Sequence, residues 1–175
     1  MKRDITIDSV SFSTLIPGMQ AGRYDFIAAP TTVTKERAEN MLFTAGYLWT
    51  AYQFGIKKGS APIKDWTDLK GKSVAVNKGT PYETLSKAKG AEHDFTVQVY
   101  DNQPDATQAV LSGRAYATLG GNTTIVYAAS KNPQFVADLE PNTYGWLQIM
   151  YGIDGRRDLT ESTRDDLFLY AGAHP

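Results

Sequence analysis

Directly after an apolar run, FIAA, and Pro30, the chain places Thr31, Thr32, Thr34 and Arg37. A guanidinium is a planar fork that can hold a carboxylate through two parallel hydrogen bonds. Hydroxyls and the unpaired N–H groups of a helix start suit the same anion. With Thr32 and Thr34 at a strand-to-helix turn and Arg37 one turn further on, these groups would form a carboxylate pocket. The plainer alternative is that Thr34 only caps the helix, while Arg37 is solvated or pairs with Glu36 or Asp25. A second turn, KGTPYE at residues 78–83, has a similar character. It lacks the second glycine and the Gly-Lys-Ser/Thr ending of a phosphate-binding loop. Thr80 would cap the following helix and, beyond that, touch a ligand. Asn77 and Lys78 at the strand end are either ligand contacts or surface residues. Glu83 is the one carboxylate placed to act as an acid or base; the alternative is a surface position.

The histidines, His93 and His174, lie far apart in sequence, which argues against a histidine-based metal site or catalytic triad. Cysteine is absent, so disulfides and thiolate metal sites are excluded. The 175 residues suffice for one domain or two small lobes, and the 42% apolar and 21% charged shares are those of a globular protein. A net charge of −1 without a basic block makes nucleic acid a poor partner. No apolar run approaches the roughly 18 residues of a membrane span, and no signal peptide is visible at Met1.

The elements that would position these groups follow from hydrophobic periodicity. Residues 5–12, ITIDSVSF, alternate as a strand, and a helix carrying Leu15, Ile16 and Met19 follows, ended by Gly22. Residues 24–29 are expected as a short strand buried on both faces, as in a parallel sheet. A helix capped by Thr34 or Thr32 follows, its apolar face formed by Ala38, Met41 and Leu42. Residues 48–56 predict one long strand and 57–72 a polar segment. Strands are then expected at SVAVN, 94–100, 116–119 and 147–153, and helices from Pro81 to about 89, at 104–112, 123–130 and 159–170. Strands alternating with helices argue for an α/β fold with mostly parallel sheets. Gly22-Arg23-Tyr24 and Gly113-Arg114-Ala115-Tyr116 each lead a short strand into small residues with two threonines. That echo is either coincidence or two similar lobes presenting equivalent strand ends, where ligands of open α/β sheets bind.

The stretch LIPGMQAGRYDFIAAPTTVTKERAENMLFTAGY resembles the signature of extracytoplasmic solute-binding proteins, family 3, the amino-acid receptors of ABC importers. Ile16-Pro17, Gly22-Arg23, Asp25, Thr34, Arg37, Phe43-Thr44 and Tyr47 occupy its pattern in order. DWTDLKGKSVAVNKGTPYE resembles the family's entry into a second lobe, and SGRAYA and YGI its later landmarks, so the similarity covers about residues 5–157. The resemblance implies a type II periplasmic-binding-protein-like fold: two α/β lobes joined by a two-strand hinge, the first lobe incomplete. Residues 1–48 would form the partial first lobe and 49–146 the second lobe with the first hinge crossing. Residues 147–175 would form the return crossing and the C-terminal segment of lobe one, with crossings near 47–51 and 144–150.

By the same resemblance, Arg37 would grip a ligand's α-carboxylate, assisted by Thr32. The backbone of Ala29 and Pro30 would face the ligand, and Thr80, Pro81 and Tyr82 would close over it from lobe two. Asn77 falls at a side-chain-reading position. No cofactor or catalytic residue is implied. The partners would be an amino acid or similar carboxylate and ABC permease subunits, in a periplasmic or extracellular setting. Three departures stand out. Gly121, with Asn122 beside it, replaces the usual acidic partner of a ligand ammonium. Pro30 removes a backbone N–H donor. The chain also starts where the family's second strand starts and breaks off early at LFLYAGAHP. This last departure leads to the expectation of a fragment, a non-binding paralogue, or a chain completed by a swapped copy. A ligand-sensing receptor domain and a periplasmic dehydratase are the alternative functions.

Overall fold

The computed structural model describes residues 4–44, 48–138 and 149–155, with 48–50 and 149–155 described as backbone. The elements run α1 (Phe12–Gln20), β1 (Phe26–Thr32), α2 (Lys35–Asn40), β2 (Leu42–Phe43), β3 (Leu48–Thr50) and β4 (Tyr52–Lys57). After a short 3-10 turn at Trp66–Leu69 come β5 (Ser73–Asn77), α3 (Pro81–His93), β6 (Thr96–Tyr100) and α4 (Gln103–Leu111). β7 (Ala117–Gly121), α5 (Asn122–Lys131), β8 (Phe135–Asp138) and β9 (Ile149–Gly155) complete the order. The expected crossing residue Tyr47, the segment around Tyr144 and the helix at 159–170 lie outside the described residues.

Two sheets form. In the first, β9 runs antiparallel to β1, β2 and β3. The expected parallel pairing does not apply there, and β1 is not buried on both faces: Ile27 and Thr31 are buried while Phe26 is 38% exposed. Pro30 explains a register shift in this ladder. Ile27 faces Asp154 and Thr31 faces Gly152, so the strand bulges where proline has no N–H to contribute. The expected strand at residues 5–12 is corrected too. Residues 4–11 pair with no strand among those described, α1 already begins at Phe12, and Ile5 and Ile7 are 84% and 89% exposed. Alternation supplies a face, but a strand exists only in a ladder.

The second sheet has five strands in the order β6-β5-β7-β4-β8. β5 runs parallel to both β6 and β7, while β4 is antiparallel to β7 and β8. Alternate residues of β5 divide between two cores. Val74 and Val76 pack with Phe54, Trp66, Leu69 and Phe95 on the face covered by α3, and Ala75 packs with Ala106, Ala109, Val110 and Ile125 beneath α4 and α5. The segment expected to be merely polar thus supplies three buried anchors, Ile63, Trp66 and Leu69. Asp65 caps their turn by accepting from the Thr67 N–H at 2.9 Å. The single strand expected over 48–56 breaks at Ala51 and serves both sheets. The Ala51 carbonyl accepts from the Asn122 N–H at 2.9 Å, tying the crossing to the end of β7. Gly22 (φ 73°) and Gly113 (φ 79°) both take the left-handed conformation after a helix and lead into β1 and β7, so the repeated Gly-Arg pairs sit at equivalent corners.

Gly55 on β4 marks where the second core is tightest, since an added Cβ would lie 2.1 Å from Phe135 Cζ. Gly55→Ala should therefore cost about 1–3 kcal/mol by overpacking. Urea unfolding monitored by tryptophan fluorescence measures this, and an unchanged midpoint would refute the packing.

Candidate functional site

Two turns meet where the lobes face one another. The first follows β1. Thr34 stays extended (φ −110°, ψ 157°) and its hydroxyl accepts from the Arg37 N–H at 3.2 Å, starting α2 as the sequence suggests. That helix has only six residues and buries none of them. The expected apolar face is absent: Met41 is buried, but just after the helix, and Leu42 belongs to β2. Thr31 is turned inward, its hydroxyl donating to the Ala29 carbonyl at 3.0 Å. Arg37 is bound at its guanidinium end. One terminal nitrogen donates to the Thr32 carbonyl at 3.0 Å and the other to the Gly79 carbonyl, across the cleft, at 3.1 Å. The Phe12 ring lies 5.6 Å from the guanidinium carbon, a cation–π contact from the start of α1.

The second turn follows β5. Thr80 caps α3: its hydroxyl accepts from the Glu83 N–H at 3.4 Å and donates to the Asn77 carbonyl at 2.6 Å. Pro81 takes the first helical turn, where its missing N–H is harmless. Glu83 closes the loop backwards, accepting from the Gly79 N–H at 2.7 Å and from Lys87 Nζ at 2.6 Å. Burial of Glu83 pushes its pKa up, but the Lys87 ammonium and the Gly79 N–H outweigh that effect and hold it below the usual carboxylate range. Glu83 is therefore an ionised, engaged carboxylate rather than a poised acid.

Between these turns lies a cleft of about 830 Å³, lined by Ile16 and Gln20 of α1, Thr34 and Arg37, Tyr52, and Gly79 to Pro81 with Glu83. Of the residues proposed from sequence, it joins Arg37, Thr80 and Pro81. Thr32 contributes its carbonyl to Arg37 while its own residue is buried. Tyr82 is packed into the core that Val74 and Val76 share with Phe54 and Trp66, its ring edge-on to Tyr52 at 5.1 Å rather than lining the cleft. Ala29 and Pro30 lie along the bulge of β1, and Gly121 and Asn122 at the end of β7 beside Ala51; none of these lines the cleft. Asn77 ends β5, and its Oδ1 is buried without a hydrogen-bond partner. A buried acceptor left unmet costs about 1–3 kcal/mol, and Asn77 stands beside the Thr80 turn rather than among the residues that line the cleft.

The cleft residues not singled out from the sequence include Tyr52, Ile16 and Gln20. Gly79 carried a signal, a glycine just before a Thr-Pro helix start; its φ of 76° is the left-handed turn that glycine supplies. A second concavity of about 510 Å³, near Lys57, Lys72 and Tyr116, lies at the opposite ends of β5 and β6. Its Lys72 ammonium sits 3.8 Å over the Tyr116 ring. Among the described residues no group of His, Asp and Glu is arranged to hold a metal ion, and no helix is long and apolar enough to cross a membrane.

With this geometry in hand, residues 1–143 match the pattern of the bacterial extracellular solute-binding proteins, family 3. The chain is 30% identical over 132 residues to the probable amino-acid-binding protein YxeM of Bacillus subtilis, covering 74% of this chain and 50% of that protein. It is 28% identical over 114 residues to an L-arginine-binding protein of Pseudomonas aeruginosa, covering 65% of this chain and 44% of that one. The chain thus spans about half the length of these curated relatives. Among solved structures, an ancestral arginine-binding protein bound to arginine superposes with a TM-score of 0.85 at 26% identity, covering 95% of this chain and 72% of that one. An ancestral amino-acid-binding protein described as a precursor of cyclohexadienyl dehydratase shares the fold, with a TM-score of 0.82 at 24% identity. The architecture is accordingly the periplasmic-binding-protein-like α/β fold with a partial first lobe.

The two hydrogen bonds of Glu83 carry a pH signature. A carboxylate whose folded pKa is depressed stabilises the fold above its unfolded value, near 4.5, and that contribution is lost as pH falls through the folded value. The stability gap between the natural chain and Glu83→Gln should be constant from neutral pH to about pH 5 and shrink below it. Urea titrations across this range test it, and a gap that widens on acidification would refute the assignment.

Proposed function

We propose, for a chain that belongs to the bacterial extracellular solute-binding proteins, family 3, that it is the substrate-binding component of an ABC importer, taking an amino acid or related small carboxylate between its lobes. The observation that carries this proposal is the Arg37 guanidinium, set in the cleft between the Thr32 carbonyl and the Gly79-Thr80-Pro81 turn. Arg37 receives the ligand carboxylate in a bidentate pair. Thr32 borders it from the first lobe, and Thr80, Pro81 and the backbone of Tyr82 from the second. Relatives named as arginine-binding make L-arginine the first probe.

The engagement of Glu83 by Gly79 and Lys87 supports binding rather than catalysis, because general acid–base chemistry needs a group free to exchange a proton with its substrate. The setting that fits this role is periplasmic or extracellular, with permease subunits as the partners that receive the ligand.

A thermal-shift panel of L-arginine, L-glutamine, other amino acids, polyamines and small carboxylates tests this function. Saturation to about 100 times the dissociation constant should stabilise the chain by about 2.7 kcal/mol, and Arg37→Ala should abolish the shift. If no compound shifts the folded chain, the receptor function is wrong for it.

A further inference from the structure

Arg37 does not wait in an empty grip. Its two terminal nitrogens are committed to backbone carbonyls on opposite sides of the cleft, Thr32 in the first lobe at 3.0 Å and Gly79 in the second at 3.1 Å. Gly79 is held for this contact from two further directions. Its N–H donates to Glu83 at 2.7 Å, which turns the same peptide corner toward Arg37. Its α-carbon abuts the first turn of α1, where an added Cβ would lie 3.1 Å from Ser13 Cα and 3.3 Å from Ser13 Cβ. The neighbouring Phe12 stacks on the guanidinium that Gly79 accepts from. Two successive residues of α1 thus buttress both ends of one cross-cleft hydrogen bond. A φ of 76° at Gly79 makes the close approach available, since a side chain there would be strained as well as crowded.

We propose that the Gly79 carbonyl is an internal latch: it occupies the ligand-gripping guanidinium and holds the lobes together without ligand, with Glu83 as its positioning residue. A carbonyl oxygen carries only a partial negative charge, so a carboxylate, which forms charge-assisted and bidentate bonds, outcompetes it at the guanidinium. Ligand entry then means exchange of one acceptor for a stronger one, and the latch lowers apparent affinity by the fraction of chains it holds shut. This second half rests on the binding function proposed above; the unliganded closure does not.

The absence of cysteine makes the distance measurement direct. Spin labels at Glu39→Cys on α2 and Ala91→Cys on α3, both exposed, report lobe separation by pulsed electron resonance in the unliganded chain. The natural residues should give one short distance. Arg37→Met should move the population several ångströms outward, and Glu83→Gln should broaden it partway. Arg37→Lys, which keeps a charge but cannot bridge both carbonyls, stands in if Arg37→Met fails to fold. An unchanged distance in a folded Arg37 variant overturns the latch whatever ligands bind. Failure of the thermal-shift panel with the distances behaving as stated overturns the receptor function and leaves the latch standing.

Discussion

One guanidinium joins the two halves of this molecule, and much of the local architecture exists to give it acceptors. Arg37 leaves a helix of six residues that buries no side chain, so packing does not fix its direction. What fixes it is the Thr34 cap at the helix start and the pair of carbonyls at its tip. A cation drawn into a cleft must recover its lost hydration from fixed dipoles. Here both dipoles are backbone groups at strand ends, Thr32 at the end of β1 and Gly79 just past β5. Thr32 is the last residue of β1, opposite Tyr151, and Gly79 lies past β5, so both carbonyls sit where a ladder ends and a visiting donor can reach them.

The second lobe can support that contact because it is built as a conventional two-sided sheet. Val74 and Val76 reach into one core and Ala75 into the other, which leaves Asn77 and the following turn as the first residues of β5 outside both. Thr80 ties that turn to the Asn77 carbonyl, and Glu83 ties it to the Gly79 N–H. Position and charge are thereby settled by local bonds before any ligand arrives. The first lobe is thinner. Its described strands depend on β9, with β1, β2 and β3 all bonded to that one strand, and its small core is Met19, Ile27 and Met41.

Legibility in the sequence tracks how local the determining physics is. The Thr34 and Thr80 caps, Pro81 in the first turn of α3 and the left-handed glycines after α1 and α4 were readable because each is decided within four residues. In the second sheet β5, β6 and β7 were readable because they alternate with helices, whereas β8 was missed and the antiparallel pairing of β4 was not foreseen. Residues 5–12 misled because alternation reports a face and not a partner. The segment around Trp66 misled in the opposite sense: its anchors Ile63, Trp66 and Leu69 are spaced among charged residues that all face water. Within the site, Arg37 and Thr80 could be named from residue type, whereas Tyr82 could not be placed. Its ring turns into the core against Tyr52, a choice made by a residue thirty positions away. Gly79 was visible as a turn, but its role as acceptor depends on a contact between lobes that no local pattern encodes.

The chemistry offered to a ligand is consequently lopsided. At one end stand a guanidinium and the N-terminus of α3, both suited to a carboxylate. Among the described residues, the carboxylates lining the cleft are Glu36 and Glu83. Glu83 already satisfies Gly79 and Lys87, and Glu36 stands exposed on α2. At the end of β7, Gly121 and Asn122 bring no charge, and the Asn122 N–H is spent on Ala51. The unmet Asn77 Oδ1 is a neutral acceptor. Neutral acceptors distinguish donors by geometry more than by charge, since they lack the roughly twofold gain of a charge-assisted bond. A ligand entering the cleft would therefore meet its strongest partners through an anionic group rather than a cationic one. That division follows from which strand ends the fold presents, and the latch at Gly79 sits on the strong side of it, where displacement by a full negative charge is most favourable.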